Sequence, residues 1–170
     1  CLVRAGDQNE ARERVDRALR SLEIEVDAAR WSVVVGDLAL PGLGWSRPER
    51  DRWLANIDTI VHCGAVVSWL APYSSIKKTN VGGTRALLEI AQGEHPKVFH
   101  HVSTISTTTP DGDENSLFSE EQALRSSPYG LSKWVAEGLV REASRNGLLA
   151  RVYRPAMVAP HTRRGVGNTQ

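Results

Sequence analysis

The chain has 170 residues, 41% of them hydrophobic and 24% charged, with 14 glycines and 8 prolines. That is an ordinary globular composition and the length of one domain. Twenty-one lysines and arginines against 20 aspartates and glutamates leave a net charge of +1, neither the basic excess of a nucleic-acid binder nor the acidic bias of a disordered tail. No apolar run approaches the ~18 residues of a membrane span, and no basic-then-apolar leader opens the chain. Two cysteines, Cys1 and Cys63, make neither a disulfide framework nor a four-ligand zinc site. The expectation is a reduced, cytoplasmic domain with inert thiols and no metal, which leaves small-molecule chemistry or protein binding as the open classes.

The opening Cys1-Leu2-Val3-Arg4-Ala5 has no Met and reads as an apolar run entered in its middle, the end of a strand in a fragment of a longer protein. Asp7 then caps a helix whose apolar positions Ala11, Val15, Ala18, Leu19 and Leu22 recur at helical spacing. Ser32-Val33-Val34-Val35-Gly36 reads as a β-branched strand buried on both sides. Pro41 to Gly44 is loop. Ser46, with Glu49 three residues on and Pro48 in the first turn, opens a helix with a capping box. Ile57 to Val61 is a strand, residues 64–72 a loop, and Tyr73 to Gln92 a helix with Gly82-Gly83 in its interior, each glycine costing about 1 kcal/mol against Ala unless close packing needs it. Lys97 to Ser103 is a strand. Residues 104–127, with Pro110, Asp111, Gly112 and Asp113, read as a polar loop or lid. Pro128 to about Asn146 is a helix with Gly147 at its C′ position, and Leu149 to Tyr153 is the last clear strand before Pro155 and a basic tail from Pro160.

Strands and helices alternating at this spacing form βαβ units, hence a parallel sheet with helices on both faces. Ligands of such sheets sit outside the carboxyl ends of the strands. Those ends are Arg4, Gly36-Asp37, His62-Cys63-Gly64-Ala65, Ser103-Thr104 and Arg154-Pro155.

Tyr129 and Lys133, four apart in Tyr129-Gly130-Leu131-Ser132-Lys133, lie one turn apart on one helix face. An ammonium beside a phenol favours the phenolate and lowers its pKa from about 10, so Tyr129 suits general acid work on a carbonyl oxygen with Lys133 tuning it. Ser103-Thr104, 25 residues upstream of Tyr129 at a strand end, supplies hydroxyls for the same oxygen; the bland reading is a turn whose hydroxyls cap backbone groups.

This arrangement resembles the extended short-chain dehydrogenase/reductases, and more narrowly the thioester reductase domains (the male-sterility/NAD-binding type) that end nonribosomal peptide synthetases, polyketide synthases and carboxylic acid reductases. The residues that carry the resemblance are Gly36-Asp37-Leu38, Val61-His62-Cys63-Gly64-Ala65-Val66-Val67-Ser68-Trp69, Asn80-Val81-Gly82-Gly83-Thr84, Ser132-Lys133-Trp134-Val135-Ala136-Glu137, Tyr153-Arg154-Pro155 and the closing Gly165-Val166-Gly167-Asn168.

The resemblance implies a Rossmann-like doubly wound parallel sheet, truncated at both ends, with residues 1–170 one part of an NAD(P)-binding reductase domain. It implies the catalytic set Thr104, Tyr129 and Lys133, with Ser106 as the fallback hydroxyl. It implies NADPH, with Arg4 at the adenosine 2′-phosphate, Asp37 near the adenine with Leu38 beside it, and His62, Cys63, Gly64 and Ala65 along the cofactor. Asn80 is placed behind the active site and Pro155 beside the nicotinamide, while Tyr129 and Lys133 reach its ribose end. The family's Gly-rich pyrophosphate turn belongs upstream of Arg4, so this chain alone is expected to bind NADPH poorly or not at all.

The implied reaction is reduction of an acyl or peptidyl thioester, carried on the phosphopantetheine arm of an upstream carrier domain, to an aldehyde or alcohol. Trp69 and Tyr73 are candidates for the pocket or for aromatic core packing. The alternatives are a fatty acyl-CoA reductase, a nucleotide-sugar epimerase or dehydratase, a non-catalytic nucleotide-binding regulator, or an inactive truncated product. Ile105-Ser106 after Thr104, where sugar dehydratases carry acidic residues, argues against dehydration.

Overall fold

The structure, a computed structural model, describes residues 1–109 and 116–156. The expected lid residues Pro110 to Asp113 and the closing Gly165 to Asn168 therefore lie outside the described residues. The chain divides into two units, Cys1–Asp37 with Met157–Gln170, and Leu38–Ala156.

In the first unit, β1 (Leu2–Val3) pairs in parallel with β2 (Val34–Val35), Val3 opposite Val35. Between them runs α1 (Gln8–Ser21), which starts where Asp7 accepts the Glu10 N–H at 2.8 Å. Its Ala11 is buried, as is Val33, and Arg12 stacks its guanidinium 3.6 Å over the Trp31 ring. The strand expected over Ser32 to Gly36 is shorter than its β-branched run. Only Val34 and Val35 pair, and of the run only Val33 is buried, so it is not sealed on both sides.

The second unit has a parallel sheet of β3 (Thr59–His62), β4 (Val98–Val102) and β5 (Ala150–Tyr153), with β4 central and His62 opposite His101. The strands alternate inward and outward side chains: Phe99 and His101 of β4 are buried and their neighbours half-buried. α2 (Arg47–Leu54) carries the Ser46–Glu49 capping box. The predicted helix over Tyr73 to Gln92 is found in three continuous parts, α3 (Tyr73–Lys77), a π-helical segment (Lys78–Gly82) and α4 (Gly83–Ala91).

Two stretches read as loop have more order. Pro41–Gly44 forms a tight turn that buries Leu43 at φ +64°. Residues 104–127 contain a 3₁₀ turn at Ile105–Thr107 and the short α5 (Glu120–Leu124), opened by a Ser119–Gln122 capping box. That spacing is in the sequence and was the available signal. α6 (Pro128–Arg145) ends as expected at Gly147, with φ +97° and the Leu148 N–H returning to the Ala143 carbonyl. Leu43, Leu87, Leu88, Phe99, Val140 and Leu148 belong to one buried cluster that joins α4 and α6 to the sheet. Among the described residues no helix is long and apolar enough to cross a membrane.

Gly82 and Gly83 differ in what surrounds them. A Cβ on Gly83 would fall 2.7 Å from Leu38 Cβ and 3.0 Å from its carbonyl oxygen, whereas one on Gly82 would meet only the Lys77 carbonyl oxygen at 3.9 Å. Gly83→Ala is expected to destabilise by about 1–3 kcal/mol through overpacking, and Gly82→Ala to stabilise by up to about 1 kcal/mol. Urea denaturation of the two variants checks the contrast; equal shifts would refute it.

Candidate active site

The carboxyl ends of β3, β4 and β5 and the first turns of α6 carry most of the expected residues. Beyond Val102, the Ser103 N–H bonds to the Tyr153 carbonyl at 2.7 Å and the Ile105 N–H to the Pro155 carbonyl at 3.2 Å. These bonds fix the 3₁₀ turn at the sheet's edge, with Pro155 exposed beside it. Thr104 caps that turn: its Oγ1 accepts the Ser106 N–H at 3.3 Å and lies 3.4 Å from Ser106 Oγ. The capping role and the candidate catalytic role thus fall on one half-buried hydroxyl.

α6 begins where Ser127 Oγ accepts the Gly130 N–H at 3.0 Å, with Pro128 preset for the first turn. A Cβ on Gly130 would stand 3.4 Å from the Ser106 carbonyl oxygen, so the turn bearing Tyr129 abuts the turn bearing Thr104. Tyr129 is half-buried, and its ring centroid is 6.0 Å from that of Trp69, tilted by 60°. Trp69 is 64% exposed and Tyr73 half-buried, so core packing is ruled out for Trp69.

Lys133, one turn along from Tyr129, is 3% exposed. Its Nζ donates to the Val102 carbonyl at 2.7 Å. Burial pulls its pKa down to about 8, against the charges of Glu137 and Cys63, which act the other way. Burial pushes the Tyr129 phenol up. This is the opposite of the direction expected from an adjoining ammonium, and its cause is desolvation of the phenolate.

Asn80 is fully engaged by protein. Its Oδ1 accepts the Val66 N–H at 2.7 Å, and its Nδ2 donates to the Val66 carbonyl at 3.0 Å and to Ser132 Oγ at 2.8 Å. Ser132 Oγ in turn donates to the Tyr129 carbonyl at 2.7 Å. The amide expected behind the site therefore ties the loop after β3 to the first turn of α6. Thr84 Oγ1 donates to the Asn80 carbonyl at 2.6 Å, which uses its one proton. His62 Nε2, 2.9 Å from the same hydroxyl, must be the donor in that contact, so His62 is the neutral Nε2–H tautomer. This buried, engaged imidazole is a packed strand residue, whereas Cys63 and Gly64, which follow it, are exposed.

Gly64 has Leu38 against it, for a Cβ there would fall 2.6 Å from Leu38 Cδ1. Ala65 is half-buried. Arg4 and Asp37 belong to the first unit. Arg4 is exposed directly after β1 and Asp37 half-buried just beyond β2, both at carboxyl ends of paired parallel strands.

Two groups escaped the sequence reading. His101 is fully buried with its ring centroid 5.3 Å from that of His62, and neither of its nitrogens has a hydrogen-bond partner among the described residues. Glu137 is fully buried on α6 and bonded to Arg154 and Arg141. The alternation of β4 signalled the first; the second stands at the end of the Ser132–Glu137 run that carries the resemblance, four residues from Lys133, but was given no role there.

Burial, then the charge of Lys133, holds His62 down to about 4; burial, then Lys133 and His62, holds His101 down to about 2. Both are neutral when folded and take a proton when unfolded below about pH 6.5. Their contribution to stability is therefore complete above pH 6.5 and is lost as pH falls from there, toward about 4 for His62 and about 2 for His101. The expected loss attributable to His62 is about 2–3 kcal/mol at pH 4.5 relative to pH 7. His62→Gln retains a donor for Thr84 and should reduce the proton uptake on unfolding by about one, measured by urea denaturation across pH 4.5–7.

Residues 1–170 match the NAD-binding family profile described as Male sterility protein. A linear gramicidin synthase of Brevibacillus parabrevis is 38% identical over 162 residues, covering 91% of this chain and 3% of that protein. The terminal R domain from the myxalamid PKS-NRPS biosynthetic pathway superposes with a TM-score of 0.92 at 39% identity, over 99% of this chain and 44% of that one. The reductase (R) domain of a nonribosomal peptide synthetase from Mycobacterium tuberculosis does so with a TM-score of 0.73 at 31% identity, over 95% and 42%. This chain thus spans less than half of each solved domain, and its parallel α/β architecture, matched to theirs along nearly its whole length, places it in the NAD-binding Male sterility protein family together with the R domains of peptide synthetases.

Proposed function

We propose that the protein containing this chain performs NADPH-dependent reductive release of an acyl or peptidyl thioester, held on the phosphopantetheine arm of a carrier domain in the same polypeptide, giving an aldehyde or an alcohol. The observation that carries the reading is the abutment of the Thr104 turn and the Tyr129 turn beside the buried Lys133, in a chain of this family.

Each assigned residue is suited by its own chemistry to part of a dinucleotide. Arg4 offers an exposed guanidinium for the adenosine 2′-phosphate, the contact through which a guanidinium reads a phosphate bidentately. Asp37, with Leu38 next to it, is assigned to the adenine side. Cys63, Gly64 and Ala65 at that edge carry only small side chains of their own, which lets a ligand approach their backbone on the side that Leu38 leaves open. Pro155 is assigned to the nicotinamide side, and His62 and Asn80 to supporting that edge from within. Lys133 has three N–H donors; one serves Val102, which leaves donors for ribose hydroxyls.

When bound, the cofactor supplies a hydride to the thioester carbon. Tyr129 donates its proton to the carbonyl oxygen. Because burial raises its pKa, the phenol is protonated at neutral pH and is in the form that can donate. Thr104 Oγ1 gives a second hydrogen bond to the same oxygen. Lys133, about 8, is charged at neutral pH and offsets the phenolate left by proton transfer. Departure of the pantetheine thiol leaves an aldehyde, and a second reduction gives the alcohol.

In the full-length protein, Tyr129→Phe is expected to lower thioester-dependent NADPH oxidation by about 10²–10⁴-fold with the fold intact by circular dichroism. Unchanged turnover would end the reading. Arg4→Ala is expected to raise KM for NADPH about tenfold while leaving KM for NADH unchanged, as loss of one charge-assisted phosphate contact implies; equal effects on both would remove Arg4 from the 2′-phosphate site. Activity should fall as pH rises through about 8, as Lys133 loses its charge.

A further inference from the structure

We infer that Glu137 is a positioning residue, whose carboxylate ties the Thr104 turn and the tip of β5 to α6 one helical turn beyond Lys133. Its role as an aid to reduction rests on the function proposed above; its effect on Lys133 does not.

A carboxylate that is 0% exposed cannot stand alone, since an unpaired buried charge is prohibitive. The groups bonded to it come from the end of β5, from the 3₁₀ turn and from α6 itself. From the end of β5, Arg154 bonds both oxygens, Nε reaching Oε2 at 3.0 Å and Nη2 reaching Oε1. From the 3₁₀ turn, Thr107 Oγ1 lies 3.3 Å from Oε2 and 2.9 Å from the Thr104 carbonyl oxygen. From α6 itself, Arg141 Nε lies 3.1 Å from Oε1. One side chain thus gathers the segment carrying Thr104, the segment leading to Pro155 and the helix carrying Tyr129 and Lys133.

Glu137 also has an electrostatic reach that packing alone lacks. Among the described residues, the titratable groups acting on Lys133 or acted on by it are His62 and Cys63 from the end of β3, His101 from β4, and Glu137 from α6. The two histidines are neutral above about pH 4. Glu137 is the largest opposite influence on the ammonium, ahead of Cys63, and works against the desolvation that disfavours its charge.

Two measurements on the full-length protein separate this proposal from the reductase reading. The first is the pH midpoint for acylation of the Lys133 amine by an amine-reactive anhydride, followed by peptide mass spectrometry, which needs no activity. The second is the pH dependence of kcat/KM for thioester-dependent NADPH oxidation. Glu137→Gln is expected to move both the labelling midpoint and the alkaline limb of activity at least half a pH unit lower, and Glu137→Asp, which keeps the charge, to leave them near the parent's values. A Gln variant whose midpoint coincides with the parent's overturns the proposal, whatever its loss of stability. A shifted midpoint in a protein that reduces no thioester upholds the proposal and sinks the reductase reading. If Glu137→Gln does not fold, the half-exposed Arg141→Gln replaces it: removing a cation that competes for Glu137 should raise the Lys133 midpoint, and an unmoved midpoint overturns the proposal.

Discussion

The second unit is arranged around an ammonium held out of water. Lys133 is 3% exposed, and desolvating an ion of that size costs several kcal/mol even after the surroundings relax. Three features meet that cost. The Val102 carbonyl accepts one N–H bond. Glu137 supplies opposite charge one turn along, itself held by Arg154 and Arg141. The two nearest imidazoles carry no charge of their own at neutral pH. A protonated His62 or His101 would add a like charge to the same dry region, and the mutual repulsion with Lys133 is one reason both stay neutral. The lysine and the histidine pair are thus one electrostatic unit built across β3, β4 and α6.

A second set of contacts orients what that unit leaves free. The route from His62 through Thr84, Asn80 and Ser132 to the Tyr129 carbonyl is continuous and donor-to-acceptor consistent at each step. It joins the end of β3 to the first turn of α6. The π-helical segment is where this route crosses the helix, and π-segments are rare and cluster at functional places. Gly83 follows at once, packed against Leu38 so closely that no side chain fits. Leu38 also fills the space beside Gly64. One leucine therefore fixes both the helix and the strand end at which the backbone of Cys63 and Gly64 is exposed.

The alternation of strands and helices was legible because each element has local causes. Asp7 and Ser46 cap their helices through side-chain oxygens, and Gly147 ends α6 in the left-handed conformation that suits glycine. The strand-end residues were legible as positions, since β-runs end where Gly, Pro and polar residues begin. What escaped depended on distant partners. Glu137, in the sequence only the end of the Ser132–Glu137 run, has no visible role until Arg154, 17 residues later, is folded over it. The phenol's shift has the unexpected sign because burial, a property of the fold, outweighs the four-residue spacing that suggested an ammonium beside it. The breadth of the helix turn at Lys78–Gly82 has no periodic signature at all, since a π-turn adds only one residue to a pattern of apolar positions that stays helical on either side.

In the reaction proposed above, that reversed sign changes how the tyrosine would work. A phenol tuned downward would be a ready base; one pushed up by burial is an acid that holds its proton until charge develops beside it. An oxygen that gains negative charge as its carbon is reduced becomes a far stronger base than the phenolate, and the proton then moves without the site having to keep a phenolate in advance. The phenolate that such a transfer would leave is half-buried and unfavourable where it stands, and the cation at Lys133 would offset it best at that stage. An ammonium parked on the Val102 carbonyl therefore need not pair with Tyr129 in the resting protein to matter in the reaction. On that proposal its charge would be needed one turn away when the phenol gives up its proton, and Glu137 is the residue on the same helix that favours that charge most.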